Sequence, residues 1–274
     1  MVEVSCFMGK IKIKVNTRIT DEYFLLELDT TELSKIAEPG QFLNVRLNTD
    51  ENYDPLLRRP LSVHDIDKET NSIFLLYRLV GKGTRLLSKF KAGEFLDIMG
   101  PLGSGFKTDI NDKKILIIGG GMGIAPLYYL SKKLPINNKL TVLLGGNNED
   151  DLKYFSERFN QISADIYSAT IDGSMGHMGN VIDLWEKLGE YNYNYIYTCG
   201  PLPMLVRVQE LAVNHNIKGQ VSLEERMGCG IGLCLSCVCQ TEDGNQRVCK
   251  EGPVFSLGNV NFENNKFNGC DCNE

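Results

Sequence analysis

The stretch Lys114-Ile-Leu-Ile-Ile-Gly-Gly-Gly-Met-Gly-Ile-Ala-Pro126 indicates the fold class of this chain. Its short continuous apolar run is typical of a strand buried on both faces. A glycine turn follows, and the helical stretch 125–134 begins beside it. Glycines let the backbone approach a pyrophosphate, and a helix N-terminus supplies oriented N–H groups. Proline at 126 suits the first turn of a helix. The alternative to nucleotide binding is that the glycines serve only the packing of the strand against the helix. The candidate nucleotide contacts here are Gly119, Gly121 and Gly123.

Strands and helices continue to alternate after this turn, which predicts a parallel α/β domain over residues 109–215. Cys199-Gly200-Pro201 lies at the end of one of these strands. Ligands of open α/β sheets bind at the carboxyl ends of the strands. We therefore expect Cys199 to be a small side chain beside a nicotinamide. The acidic residues at 149–151, near the end of the second strand, favour NAD over NADP, although a solvated acidic loop is the alternative explanation. The expected strands are 114–119, 140–144, 165–170 and 195–199, and the expected helices are 125–134, 181–188 and 204–214.

Residues 1–108 show a different pattern, with short β-rich runs separated by turn residues. This spacing predicts a small antiparallel β-barrel. Within it, Arg58-Arg-Pro-Leu-Ser-Val63 carries two guanidinium groups that suit a flavin pyrophosphate, while a solvated basic strand edge explains them equally well. The expected strands are 10–15, 24–28, 41–47 and 72–77.

Cysteines crowd the segment from 229 to 249, and we expect a third, small unit over residues 216–274. The spacing C-x4-C-x2-C plus one distant cysteine is that of a plant-type [2Fe–2S] cluster. It predicts Cys229, Cys234, Cys237 and Cys249 as ligands, although spacing alone does not exclude Cys239. Structural zinc is the alternative, but zinc sites usually pair two C-x2-C knuckles or include histidine.

Composition excludes several functional classes. The 274 residues carry a net charge of −6, with 42% hydrophobic and 23% charged residues, which favours a globular protein and gives no support for nucleic-acid or membrane binding. With no visible targeting segment, we expect a cytoplasmic location, where thiols stay reduced. Cys6 is expected to be a packing residue, and Cys270 and Cys272 receive no role.

Taken together, these motifs resemble the ferredoxin–NADP reductase superfamily. Arg59-Pro-Leu-Ser62 is similar to its R-x-Y-S flavin motif, with Leu61 where an aromatic residue is common. The stretches 224–239 and 248–255 more specifically resemble electron-transfer subunits of class 1B dihydroorotate dehydrogenases. The resemblance covers nearly the whole chain in the expected order, apart from the C-terminal tail.

This resemblance implies FAD, NAD and one [2Fe–2S] cluster, and an FMN-containing catalytic partner in an α2β2 assembly. It implies a relay from dihydroorotate through the partner's FMN, the cluster and FAD to NAD+, without an acid–base catalytic residue. Two alternatives stay open: an NAD(P)H:ferredoxin-type reductase with another flavoprotein partner, and a zinc-stapled nucleotide-binding module. The implied FAD contacts are Arg59, Pro60, Leu61, Ser62, Leu76, Tyr77, Arg78, Gly83 and Thr84.

Overall fold

A computed structural model describes residues 6–47 and 53–263, and its first unit is a closed six-stranded antiparallel barrel. The strand order is β1-β2-β5-β4-β3-β6, which confirms the predicted barrel. Closure leaves no unpaired sheet edge. The strands are β1 (Phe7–Arg18), β2 (Tyr23–Asp29), β3 (Phe42–Arg46), β4 (Arg59–Asp67), β5 (Ser72–Arg78) and β6 (Phe95–Leu102), with short helices α1 (Thr31–Ile36) and α2 (Lys82–Leu87) between them.

Alternation along β3 assigns its side chains to two different cores. Leu43 and Val45 fill the barrel interior. Phe42, by contrast, packs outside the barrel with residues of the sheet and of the cysteine-rich unit. Because successive side chains of a strand point to opposite faces, Asn44 shares the outer face with Phe42. This face joins the barrel to the rest of the molecule.

The second unit is a seven-stranded sheet in the order β10-β9-β8-β7-β11-β12-β15, in which only β15 runs antiparallel. The chain passes from β7 to β8 on one side, whereas β11 lies on the other. The strand order therefore reverses beside β7. The elements are β7 (Lys114–Gly120), α3 (Ile124–Lys133), β8 (Lys139–Gly146), α4 (Glu149–Phe159), β9 (Ala164–Thr170), β10 (His177–Met178), α5 (Val181–Leu188), β11 (Tyr195–Cys199), α6 (Leu202–Asn214), β12 (Lys218–Ser222) and β15 (Val254–Ser256).

The sheet does not end at residue 215. β12 and β15 belong to it, although both lie within the range 216–274 that the sequence assigned to the third unit. Val221 is the only strongly apolar residue of Lys218-Gly-Gln-Val-Ser222, so no apolar run marked this strand. The alternative of an acidic loop at residues 149–151 is wrong, because α4 begins at Glu149 with Asn148 as its N-cap. The division at residues 108 and 215 stays a prediction.

The third unit is a long loop followed by the hairpin of β13 (Val238–Thr241) and β14 (Gly244–Arg247). Up to residue 263 it shows no separate core: Cys237, Val248 and Cys249 pack in one cluster with Phe42 of the barrel and Val208 of α6. Sharing a core with both larger units fixes the loop in place between them. Cys270 and Cys272 lie outside the described residues.

Candidate cofactor and electron-transfer site

The four predicted cluster ligands form two pairs of thiols. Side-chain hydrogen bonds join Cys229 to Cys234 and Cys237 to Cys249. Two thiolates for each of two irons is the arrangement that a [2Fe–2S] cluster requires. Across the described part of the chain, no three His, Cys, Asp or Glu side chains converge on one point as a single metal ion would need. Two pairs of thiols match the ligand set of a binuclear cluster.

Backbone N–H groups of the loop point at these sulfurs. The Cys229 sulfur accepts hydrogen bonds from the N–H groups of Leu233 at 3.3 Å and Ile231 at 3.4 Å. Gly232 donates to Cys249 Sγ at 3.1 Å, and Cys249 donates to Cys237 Sγ at 3.4 Å. Such donors stabilise negative charge on sulfur and tune a cluster's potential. The loop is therefore already arranged to receive an anionic cluster.

The two pairs differ in their surroundings. Hydrogen bonds from the Ser236 hydroxyl and backbone lower the pKa of the exposed Cys234 thiol to about 6. At Cys229 desolvation opposes ionisation, but backbone N–H groups outweigh it and lower the pKa. Burial instead raises the pKa of Cys249 to about 12. One pair thus lies at the surface and the other in the core.

Cys239 lies beside this array on β13, opposite Gln246 of β14. Its side chain is buried, and that burial raises its pKa to about 12. The four paired thiols accept loop N–H groups or each other's hydrogen bonds, and they remain the proposed ligand set. Cys239 is assigned to the core that it shares with Cys237.

The barrel brings three of the predicted flavin contacts together. A Cβ at Gly83 would lie 2.4 Å from Arg59 Nε, so the Arg59 side chain lies directly over this glycine. Next to it, Thr84 Oγ1 accepts N–H groups from Val80 at 3.0 Å and Gly81 at 3.2 Å. The Arg59 guanidinium, whose Nη1 also donates to Leu57 O at 2.6 Å, has the fork geometry that suits a pyrophosphate. Arg58 has a different role, because it donates to Asn44 O at 3.2 Å and Asp97 Oδ1 at 2.8 Å and so fastens β3 to β6.

The predicted contacts on β5 point in different directions. Tyr77 is buried inside the barrel, where it stacks on Phe24 and donates its hydroxyl to Asn16 Oδ1 at 2.9 Å. Leu76 faces outward into the core of the sheet unit, and Arg78 Nε donates to Glu22 Oε2 at 2.6 Å. Only the outward-facing side chains have access to a ligand outside the barrel. The flavin contacts assigned to Leu76, Tyr77 and Arg78 stay predictions.

β4 connects the other two units. Its Pro60 is the sheet partner of Asn44, whose Nδ2 reaches the carbonyl oxygen of Cys229 at 3.4 Å. Four residues further on, His64 Nδ1 lies 2.8 Å from Ala125 O at the start of α3. Ser62 lies between these two contacts, whereas Leu61 packs against the barrel interior. The outer face of β4 therefore runs from the cluster loop to the nucleotide turn.

The two predicted nucleotide turns touch each other. A Cβ at Gly123 would lie 2.5 Å from the carbonyl carbon of Cys199 and from Gly200 N. A Cβ at Gly120 would likewise lie 2.9 Å from Pro201 Cδ. β7 and β11 are parallel neighbours, and Gly119 is the register partner of Cys199. Because the strand order reverses at this point, the turns enclose the crevice in which α/β sheets bind their ligands.

Cys199 is not arranged as a nucleophile. It is buried, and desolvation with the nearby Glu224 raises its pKa well above the ordinary value. A reactive cysteine needs the opposite shift. The hydroxyl of Ser222, its register partner on β12, hydrogen-bonds to the thiol. The position next to the crevice agrees with a small side chain beside a nicotinamide.

Glu224 is a candidate site residue that sequence reasoning missed. Its side chain is exposed at the surface, and desolvation by the neighbouring protein raises the pKa of its carboxyl group. A carboxyl group that acts electrostatically on Cys199 and holds its own proton more tightly is a candidate proton or hydrogen-bond donor near the predicted nicotinamide position. The only sequence signal was its place at the head of the cysteine-rich stretch.

The barrel, the sheet with its glycine turns and the four-thiol loop define an oxidoreductase of the flavin and iron–sulfur class. The electron transfer subunit of dihydroorotate dehydrogenase B (NAD(+)) from Shouchella clausii (strain KSM-K16) is 37% identical over 92% of this chain and 97% of its own length. The same subunit from Bacillus cereus (strain G9842) is 39% identical over 90% and 96%. The chain belongs to this family of electron transfer subunits.

Two further comparisons agree with the site. Residues 224–261 match the iron–sulfur cluster binding domain of dihydroorotate dehydrogenase B. The solved structure of an NADH-dependent reduced ferredoxin–NADP oxidoreductase, described for flavin-based electron bifurcation, superposes with a TM-score of 0.82 at 31% identity, covering 92% of this chain and 90% of that one. The domain and the fold support FAD, NAD and a [2Fe–2S] cluster as cofactors. Among the described helices, none has the length and apolarity to cross a membrane.

Proposed function

We propose that this chain relays electrons from the FMN of a dihydroorotate-oxidising catalytic subunit, through its [2Fe–2S] cluster and FAD, to NAD+. The observation that carries this proposal is the outer face of β4, which lies between the cluster loop at Asn44 and the nucleotide turn at Ala125. A flavin at that face would lie between the two other cofactors. Flavins exchange electrons both singly and in pairs, which such a relay requires.

The chain's own residues position the cofactors. Cys229, Cys234, Cys237 and Cys249 would hold the cluster. Arg59, Gly83 and Thr84 would hold the flavin pyrophosphate. Gly119, Gly121, Gly123, Cys199, Gly200 and Pro201 would hold NAD, with the exposed Glu149 and Asp150 disfavouring a 2′-phosphate at the end of β8.

The cluster loop also offers a docking face for the catalytic subunit in an α2β2 assembly. Leu233 is 77% exposed and Leu235 61% exposed, and Ile231 is exposed as well, all around the exposed Cys234. Apolar side chains grouped on a surface mark interaction sites. Contact there would bring a partner's flavin next to the cluster.

The test is co-expression with a candidate FMN-containing subunit, followed by measurement of dihydroorotate-dependent NADH formation. Cys234→Ser should abolish this activity, whereas Cys6→Ser, at an exposed cysteine outside the array, should leave it intact. Activity retained in Cys234→Ser would refute the relay. A colourless protein with stoichiometric zinc would favour the nucleotide-binding module instead.

The docking face has its own test. Leu233→Glu should weaken association with the FMN subunit at least tenfold, because it places a charge in an apolar interface. Ile136→Glu is the matched control, since Ile136 is 95% exposed on the sheet unit. Equal association of both variants with the FMN subunit would show that the cluster loop is not part of the interface.

One alternative retains support. The similarity to the ferredoxin–NADP oxidoreductase structure favours a reductase with a different flavoprotein partner as the second candidate. Under that function, reduced ferredoxin would support nicotinamide reduction while dihydroorotate would not. Comparing the two electron donors with the co-purified partner separates the candidates.

A further inference from the structure

Arg247 lies at the end of β14 and begins the turn that carries the predicted ligand Cys249. Its backbone carbonyl oxygen accepts N–H groups from Lys250 and Glu251, both at 3.0 Å. Its side chain is 29% exposed, so the guanidinium lies at the boundary between the loop and solvent. The residue is therefore close to the core pair of thiols, although it is not one of the ligands.

Glu251 holds the Arg247 side chain in one orientation. Its Oε2 accepts hydrogen bonds from Arg247 Nε at 2.9 Å and from the Arg247 backbone N–H at 2.8 Å, and its Oε1 accepts from Nη2. A carboxylate that binds a guanidinium at two points fixes the plane of that group. The remaining nitrogen, Nη1, therefore has a defined direction.

This nitrogen points at the cluster loop. Arg247 Nη1 donates to the carbonyl oxygen of Gly232 at 2.8 Å, and the N–H of the same glycine donates to Cys249 Sγ at 3.1 Å. Glycine rotates more freely about its backbone bonds than any other residue. A hydrogen bond at its carbonyl oxygen therefore restricts where its N–H can point.

The N–H of Gly232 has no substitute at this sulfur. Within the described residues, Cys229 Sγ accepts three backbone N–H groups of the loop, whereas Cys249 Sγ accepts only that of Gly232. If Gly232 turned, the Cys249 sulfur would lose its backbone hydrogen bond. The orientation of one peptide group thus decides the polarity around this ligand.

We propose that Arg247, held by Glu251, is a positioning residue for the cluster: it fixes the Gly232 carbonyl oxygen and so keeps the Gly232 N–H on Cys249 Sγ. An N–H on sulfur stabilises negative charge, and the reduced cluster carries one negative charge more than the oxidised cluster. The contact therefore favours reduction. This inference rests on the proposed ligand set, and it deepens the proposed relay by assigning two side chains a part in setting the cluster's potential.

The reduction potential of the cluster tests the proposal on the full chain with its cluster and FAD bound. It is obtained from a redox titration followed by the electron paramagnetic resonance signal of the reduced cluster. Arg247→Lys keeps the positive charge but lacks the rigid fork that spans Glu251 and Gly232. We expect it to disfavour reduction about tenfold, as for one lost hydrogen bond to a charged acceptor, which is a fall of about 59 mV for one electron.

Glu251→Gln separates positioning from charge. It removes a negative charge near the cluster, so electrostatics alone would raise the potential. Positioning gives the opposite sign, because the guanidinium loses its anchor and releases Gly232. Solvent screens the charge of the Glu251 carboxylate, which is 32% exposed, so we expect the potential to fall as it does in Arg247→Lys.

Lys250→Gln is the matched control. Lys250 is exposed, and its Cδ would lie 2.7 Å from a Cβ at Gly232, so this substitution removes a positive charge close to the same glycine. It leaves both hydrogen bonds of Gly232 in place and should keep the wild-type potential and iron content.

An unchanged potential in Arg247→Lys would overturn the proposal, and so would a raised potential in Glu251→Gln. Loss of iron from Arg247→Lys with full iron in Lys250→Gln would support it, because the same N–H would then be needed to hold the cluster. These readouts require no catalytic subunit. Failure of the relay would appear instead as absent dihydroorotate-dependent NADH formation, so the two proposals fail separately.

Discussion

The carboxylate of Asp65 on β4 accepts a 2.6 Å hydrogen bond from the ammonium of Lys132 on α3. Its second oxygen accepts from Arg158 Nη2 on α4 at 3.0 Å. The Asp65 side chain is only 5% exposed, so the sheet unit supplies both cations to a buried anion of the barrel. This ion pair holds the flavin motif and the nucleotide turn in a fixed relation.

Removal of this carboxylate should therefore loosen the junction. Asp65→Ala leaves two partly exposed cations without their anion. We expect the free energy of unfolding to fall by about 2 kcal/mol. This loss is smaller than that for a completely buried pair, because solvent screens the two cations. Asp21→Ala removes the surface pair with Arg18, and it should cost no more than about 0.5 kcal/mol. Urea unfolding of both variants measures the difference; equal losses would mean that the Asp65 ion pair has no special role.

His64, next to Asp65, should make stability depend on pH. It is fully buried, and desolvation lowers its pKa from 6.5 to about 4. Between these values the unfolded chain binds a proton at this side chain and the folded chain does not, so stability falls as pH falls and is flat above about pH 7. From pH 7.5 to pH 5 the loss should be about 2 kcal/mol.

The comparison is between wild type and His64→Gln, because glutamine can still donate to Ala125 O and accept from Tyr154 without titrating. Urea unfolding across this pH range should give a slope that is shallower in His64→Gln by the predicted amount. Parallel curves for the two proteins would show that folding leaves the pKa of His64 unchanged.

The sequence predicted the elements whose signal is local. β7, β8 and β11 are continuous apolar runs, and the glycine turn and the cysteine spacing are short motifs. The hydrogen bond from Asn44 to Cys229 and the electrostatic effect of Glu224 on Cys199 could not be found in this way, because they join residues that are distant in sequence. The inward direction of Tyr77 likewise depends on the barrel register, which a strand pattern alone does not fix.

Gly123 should be intolerant of any side chain. Its backbone is right-handed helical, with φ −61°, so alanine meets no conformational strain there. The obstacle is steric, since the Cβ would lie 2.5 Å from backbone atoms of Cys199 and Gly200. Gly123→Ala should separate the two nucleotide turns, cost about 1–3 kcal/mol of stability and weaken NAD binding.

Gly258→Ala is the control, because no neighbouring atom lies within 4 Å of its Cβ position. Thermal unfolding and NADH titration of the two variants test the prediction. Normal NADH affinity in Gly123→Ala would show that the two turns can separate without harm to the nucleotide site.

Gly232 is expected to decide whether the cluster assembles. Its N–H donates to Cys249 Sγ at 3.1 Å, and its carbonyl oxygen accepts from Arg247 Nη1 at 2.8 Å. The residue has φ +81°, and a Cβ would lie 2.7 Å from Lys250 Cδ. Alanine would strain the backbone and crowd the side chains of Lys250 and Arg247, and we expect this to turn the N–H away from the sulfur. Gly232→Ala should therefore lose most of its iron and its long-wavelength absorption while it keeps FAD.

Gly244→Ala is the matched control, since Gly244 has φ +96° with open space around its Cβ position, so it tests backbone strain alone. If Gly232→Ala holds as much iron per chain as Gly244→Ala, the contacts of Gly232 do not control cluster assembly.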